Sequence, residues 1–133
     1  MRFVLDASVT INWAMRDESH PVADLAFSEL RSGTATAPAI WWYEVRNILV
    51  VNERRKRITP ADSNRFLADL NTLEVAIDDN PDSAAALDLS RRLGCTIYDA
   101  AYLALAQKER LPLATLDKDL EAAAVSEGIS LLK

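Results

Sequence analysis

Arg2-Phe3-Val4-Leu5-Asp6-Ala7-Ser8-Val9-Thr10-Ile11-Asn12-Trp13-Ala14 opens the chain and carries its architecture in miniature. Residues 2–6 read as a short apolar strand closed by an acid. Residues 7–15 read as a helix with Val9, Ile11, Trp13 and Ala14 turned partly inward. The same alternation continues along the chain. Ser19-His20-Pro21 opens a helix that runs to Gly33, with proline near its first position, and Thr34 to Ala37 form a strand. Pro38 starts a long helix through Trp41, Val45, Ile48 and Leu49 to the basic run Arg54-Arg55-Lys56-Arg57. Thr59-Pro60-Ala61-Asp62 combines a cap, a first-position proline and an acid at the third position, so a helix follows to about Leu70. Residues 73–77 form a strand, 81–93 a helix closed by Gly94, and Thr96 begins another helix through Ala106. Residues 112–116 are a strand, 118–127 a helix ended by Gly128, and 129–132 a last strand. Five short apolar strands alternating with helices select an α/β fold: a parallel sheet with helices on both faces. In such sheets ligands sit at the carboxyl ends of the strands, where strand order reverses.

The chain has 133 residues, half of them apolar, which predicts one domain spanning 1–133. No stretch approaches the roughly 18 apolar residues that span a bilayer, and Asp6 cuts the first apolar run too early for a signal peptide, so the expected location is the cytoplasm. Counting excludes several chemistries. His20 is the only histidine, so a histidine pair cannot serve as acid and base within one chain. Cys95 is the only cysteine, which excludes an intrachain disulfide and a multi-thiolate zinc site. Gly33, Gly94 and Gly128 each end a helix, leaving none to cradle phosphates, and neither GxGxxG nor GxxxxGK occurs. Asp and Glu total 20 against 15 Lys and Arg, a formal charge of −5. The chemistry to look for is therefore carboxylate chemistry.

Four carboxylates occupy awkward places. Asp6 and Asp117 end the first and fourth strands just before helices; each alone reads most simply as an N-cap, but both at one edge of a parallel sheet can meet across the switch point. Glu44 falls within the apolar arc of its helix. At about 100° per residue from Trp41 it lies near 300°, between Val51 near 280° and Ile48 near 340°. A carboxylate buried there requires an arginine, a lysine or a cation, and neither Arg46 nor Arg55 is placed to pair with it. Asp99 matches a capping box with Thr96 and also stacks over Leu103 and Ala106, toward the core. A hard divalent cation, Mg²⁺ or Mn²⁺, accounts for all four together, because oxygen ligands suit it and clustered acids repel each other without it. The substrate would then be a phosphodiester.

At these residues the sequence resembles the PIN-domain endoribonucleases, and among them the VapC-type toxins of bacterial toxin–antitoxin systems. The resemblance runs through Phe3-Val4-Leu5-Asp6-Ala7-Ser8, Trp42-Tyr43-Glu44-Val45-Arg46-Asn47, Tyr98-Asp99-Ala100-Ala101-Tyr102-Leu103-Ala104-Leu105-Ala106 and Thr115-Leu116-Asp117-Lys118-Asp119-Leu120. It implies a five-stranded sheet of order 3-2-1-4-5. It also implies a metal-dependent RNA endonuclease, a homodimer, held inactive by a small antitoxin. The family's four acidic positions fall on Asp6, Glu44, Asp99 and Asp117, with Ser8 and Thr115 as supporting hydroxyls. Asp6 and Asp99 would hold the principal ion; Asp117 and Glu44 would bind through water or complete a second site. Asp119 reads as a dipole-complementing residue or a further acid, and Asn12 as a capping or solvated one.

Competing readings are a catalytically inactive PIN-like binding module, whose acids would be satisfied by salt bridges, and a metal-dependent phosphatase. Asp6-Ala7-Ser8 lacks the Asp-x-Asp of the haloacid-dehalogenase type of phosphatase. Residues 54–57 either contact RNA phosphates or form a solvated helix end. Helical spacing assigns Trp13, Trp41 and Trp42 to core or dimer packing rather than base stacking.

Overall fold

Phe3, Val4 and Leu5 are fully buried in the computed structural model, which describes residues 1–15 and 17–133. They form the inner strand β1 (Arg2–Leu5) of a parallel sheet with β2 (Thr34–Ala37), β3 (Val75–Ile77) and β4 (Leu113–Ala114), in the order β3-β2-β1-β4. A continuous apolar run suits a strand covered on both faces. Val4 pairs with Thr36 on one side and Leu113 on the other, so the order reverses at β1.

The α/β class and parallel sheet are as expected, with one strand fewer. Residues 129–132 contribute only a parallel bridge, Leu131 to Leu113, with hydrogen bonds from Leu113 N to Ser130 O and from Leu132 N to Leu113 O, both 2.9 Å. The reason is the length of β4. The chain turns away after Ala114, leaving only Leu113 to pair on the outer side.

The helices are α1 (Ala7–Ala14), α2 (Pro21–Ser32), α3 (Ala39–Arg54), α4 (Pro60–Leu70), α5 (Ser83–Leu93), α6 (Ile97–Glu109) and α7 (Lys118–Ser126). Thr59 and Asp62 form the complete reciprocal capping box that opens α4. His20 caps α2, its Nδ1 accepting from Val22 N. Strands β1, β3 and β4 and helices α1 and α7 are shorter than expected, and three helix caps differ. Pro38 is the cap of α3 rather than its first residue, and α5 begins at Ser83 because Asp82, not Pro81, accepts from Ala85 N. Gly33 follows α2 at an ordinary φ of −131°, without the left-handed cap seen at Gly94 and Gly128. Its glycine answers a close approach instead, since a Cβ there would lie 2.3 Å from the Met1 carbonyl oxygen. Trp13 and Trp41 pack inward and bond to Ala23 O and Thr10 Oγ1; Trp42 is exposed under the Arg46 guanidinium. Among the described residues no helix is long and apolar enough to cross a membrane.

Candidate active site

Asp6 follows β1 directly and is 7 % exposed. It occupies the N-cap position of α1 without capping it. Its Oδ2 accepts from Ser8 Oγ at 2.6 Å and from Thr115 Oγ1 at 2.7 Å. Each hydroxyl in turn accepts a backbone N–H from the turn after β4: Leu116 N at Ser8 Oγ (2.9 Å) and Asp117 N at Thr115 Oγ1 (3.0 Å). The two expected supporting hydroxyls thus lock the ends of β1 and β4 together around one carboxylate oxygen. Burial still prevails over these donors and pushes the Asp6 carboxyl above its ordinary pKa, with nearby Asp117 adding to the effect.

Asp117 is the true cap of the pair. Its Oδ1 accepts from Asp119 N and Leu120 N at 2.9 and 3.2 Å. Asp99 makes half of the capping box that its sequence announces: Thr96 Oγ1 accepts from Asp99 N, but the Asp99 carboxylate returns no bond to Thr96. That carboxylate is half-buried and raised above its ordinary pKa, first by burial and then by Asp117, Asp6 and Asp119. Glu44 is likewise raised by burial, then by Asp6 and Asp99, and its Oε1 accepts from Tyr102 OH at 2.7 Å.

The four acids come from the ends of β1 and β4, the middle of α3 and the first turn of α6, and they act on one another electrostatically. Among the described residues none forms an ion pair with Lys or Arg. Asp119 joins their field through its effect on Asp99, so it does more than complement the dipole of α7. Asn12 instead lines a cavity against α2 with Asp24 and Phe27. Sequence reasoning missed Tyr102. The available signal was a phenol one turn beyond Asp99 on an almost wholly apolar helix, where a buried hydroxyl demands a partner.

Among the described residues no three Asp, Glu, His or Cys side chains stand close enough to ligate one ion together. The donors are nevertheless all hard carboxylate oxygens, uncompensated by cations, and fit a divalent ion that completes its shell with water. Such water-rich coordination is typical of Mg²⁺.

A parallel sheet with acids at its switch point defines a class as well as a site. The chain belongs to the PIN-domain family, whose model matches residues 3–126. Among particular proteins, it is similar to ribonuclease VapC3 of Pyrobaculum aerophilum, 31 % identical over 123 residues that cover 90 % of this chain and 92 % of that one. The crystal structure of PAE2754 from the same organism matches with a TM-score of 0.72 at 23 % identity, covering 92 % of this chain and 84 % of its own. A toxin–antitoxin complex from Klebsiella pneumoniae matches with a TM-score of 0.57 at 19 % identity, covering 84 % and 82 %. At those identities the two structures speak to fold.

Proposed function

We propose that this PIN-domain chain is a Mg²⁺- or Mn²⁺-dependent endoribonuclease, the toxin of a toxin–antitoxin pair, working in the cytoplasm as a homodimer until an antitoxin protein covers its acids. The observation that carries the reading is the convergence of Asp6, Glu44, Asp99 and Asp117 from four elements without a cationic partner among the described residues. A module kept only for binding has no reason to gather and bury uncompensated acids, which cost stability. The similarity to a VapC ribonuclease supports RNA as substrate, and the matching toxin–antitoxin complex supports the antitoxin.

Asp6 and Asp99 are the residues to hold the ion, with Asp117 and Glu44 reaching it through water or completing a second site. When bound, the ion supplies positive charge against the phosphate oxygens and acidity to water. Ser8 and Thr115 aim the Asp6 carboxylate. Glu44, held by Tyr102 beside the other acids, is placed to help take the proton of the attacking water. Water enters in line with the departing 3′-oxygen, and the products carry a 5′-phosphate and a 3′-hydroxyl. Incubation of antitoxin-free protein with structured RNAs in Mg²⁺, Mn²⁺ or EDTA tests this. Cleavage in metal, none in EDTA and none by Asp6→Asn or Asp99→Asn is expected; full cleavage by either variant refutes the assignment.

A further inference from the structure

Tyr102 sits one turn beyond Asp99 on α6 and is 1 % exposed. A phenol at that depth must spend its hydroxyl on protein. It donates across helices to Glu44 Oε1 at 2.7 Å. One side chain of α6 is thereby tied to α3.

The other acids show what such a tie accomplishes. Asp6 makes its side-chain hydrogen bonds to Ser8 and Thr115 through Oδ2, and Asp117 accepts both backbone N–H groups through Oδ1. In each case two hydrogen bonds converge on one carboxylate oxygen and fix the orientation of the side chain. Glu44 is the acid with the longest side chain and the most rotamer freedom to lose, and its only side-chain hydrogen bond among the described residues is the one from Tyr102. We propose that Tyr102 is the positioning residue for Glu44, its hydroxyl anchoring Oε1 so that Oε2 is held ready for the divalent ion of the acidic site. This role rests on the metal-dependent function proposed for the chain. It adds a residue that touches neither ion nor substrate and acts through Glu44, as partners of metal ligands commonly do.

The test is Mn²⁺ binding to the intact protein, followed by calorimetry and by the electron paramagnetic resonance of free Mn²⁺, without RNA. Tyr102→Phe keeps the ring in the core and removes one oxygen. It is expected to stay folded in EDTA, melting somewhat below wild type for the loss of one charge-assisted hydrogen bond, and to bind Mn²⁺ about tenfold more weakly. Glu44→Ala should show a similar loss, and the double variant should be no weaker than Glu44→Ala, because both changes remove one function. Glu44→Asp, which withdraws the carboxylate from the phenol without touching the α6 core, should also bind more weakly. Wild-type affinity in Tyr102→Phe or in Glu44→Asp, or losses that multiply in the double variant, would overturn the positioning role. Asp6→Asn separates the two levels: if it binds Mn²⁺ like the wild type, or if the wild type binds none, the metal-dependent reading fails and Tyr102 falls with it. Loss in Asp6→Asn alone leaves the metal site standing and refutes only the role of Tyr102.

Discussion

Replacing Asp6 by asparagine should stabilise the metal-free protein, although it alters a residue at the centre of the site. Asparagine can place its oxygen where Oδ2 lies and keep both hydroxyl donors, Ser8 and Thr115. Each bond then falls from about 1.5–3 kcal/mol with a charged acceptor to about 0.5–1.5 kcal/mol with a neutral one, a combined loss of about 2–3 kcal/mol. Against this, the change removes a burial cost of several kcal/mol for an ion held out of water and the repulsion from Asp117. The upward push on the Asp6 carboxyl says that burial outweighs the donors, so the expected sign is a gain, each kcal/mol of which raises Tm by about 4 °C for a chain of this length. Thermal melts in EDTA and in millimolar Mn²⁺ read the effect. In Mn²⁺ the order should reverse, because an ion in hundredfold excess over its Kd adds about 2.7 kcal/mol to the state that binds it. A pH series supplies an independent arm. Asp6, Glu44 and Asp99 hold protons more tightly folded than unfolded, so their stabilising contribution is complete below the ordinary carboxylate range and is lost as pH rises through their folded values. The metal-free wild type should therefore gain stability as pH falls toward the ordinary carboxylate range, and Asp6→Asn should gain less. A loss of about 3–5 kcal/mol in Asp6→Asn in EDTA, with a wild type indifferent to Mn²⁺, would mean that the acids are structural ion-pair members and refute the reasoning.

The basic run divides in the structure. Arg57 bonds to Asn52, Asp17 and Glu18, whereas Arg54, Arg55 and Lys56 form no ion pair among the described residues. Changing those three to glutamine should reduce the salt dependence of RNA binding, the slope falling by about one for each phosphate that they neutralise, measured by fluorescence anisotropy over a salt series. An unchanged slope assigns them to the solvated helix end. Gly33→Ala should destabilise by about 1–3 kcal/mol in chemical denaturation, since its Cβ meets the backbone oxygen of Met1; a neutral result would show that the amino terminus yields at no cost.

The order of elements was legible in the sequence because its signals are local. Thr59-Pro60-Ala61-Asp62 specifies its own capping box within four residues, and the uninterrupted Phe3-Val4-Leu5 run marks an inner strand. The four acids were legible for a related reason: a carboxylate at a strand end or within an apolar helix arc conflicts with its surroundings, and conflict is visible without a structure.

How each conflict resolves was decided by tertiary structure alone. Asp6 and Asp117 present the same local pattern, an acid between strand and helix, yet only Asp117 caps its helix. Asp6 turns instead to Thr115, 109 residues away. Thr96 and Asp99 repeat the spacing of Thr59 and Asp62, but Asp99 withholds its carboxylate from the box and faces the other acids. Glu44 finds a phenol 58 residues along the chain rather than an arginine on its own helix. The fifth strand dwindles to one bridge because β4 is too short to pair further. Local pattern sets which side chains need a partner, since need depends on charge and burial. Which partner they receive depends on the positions to which sheet order and helix packing bring distant residues, and no short stretch of this chain encodes that.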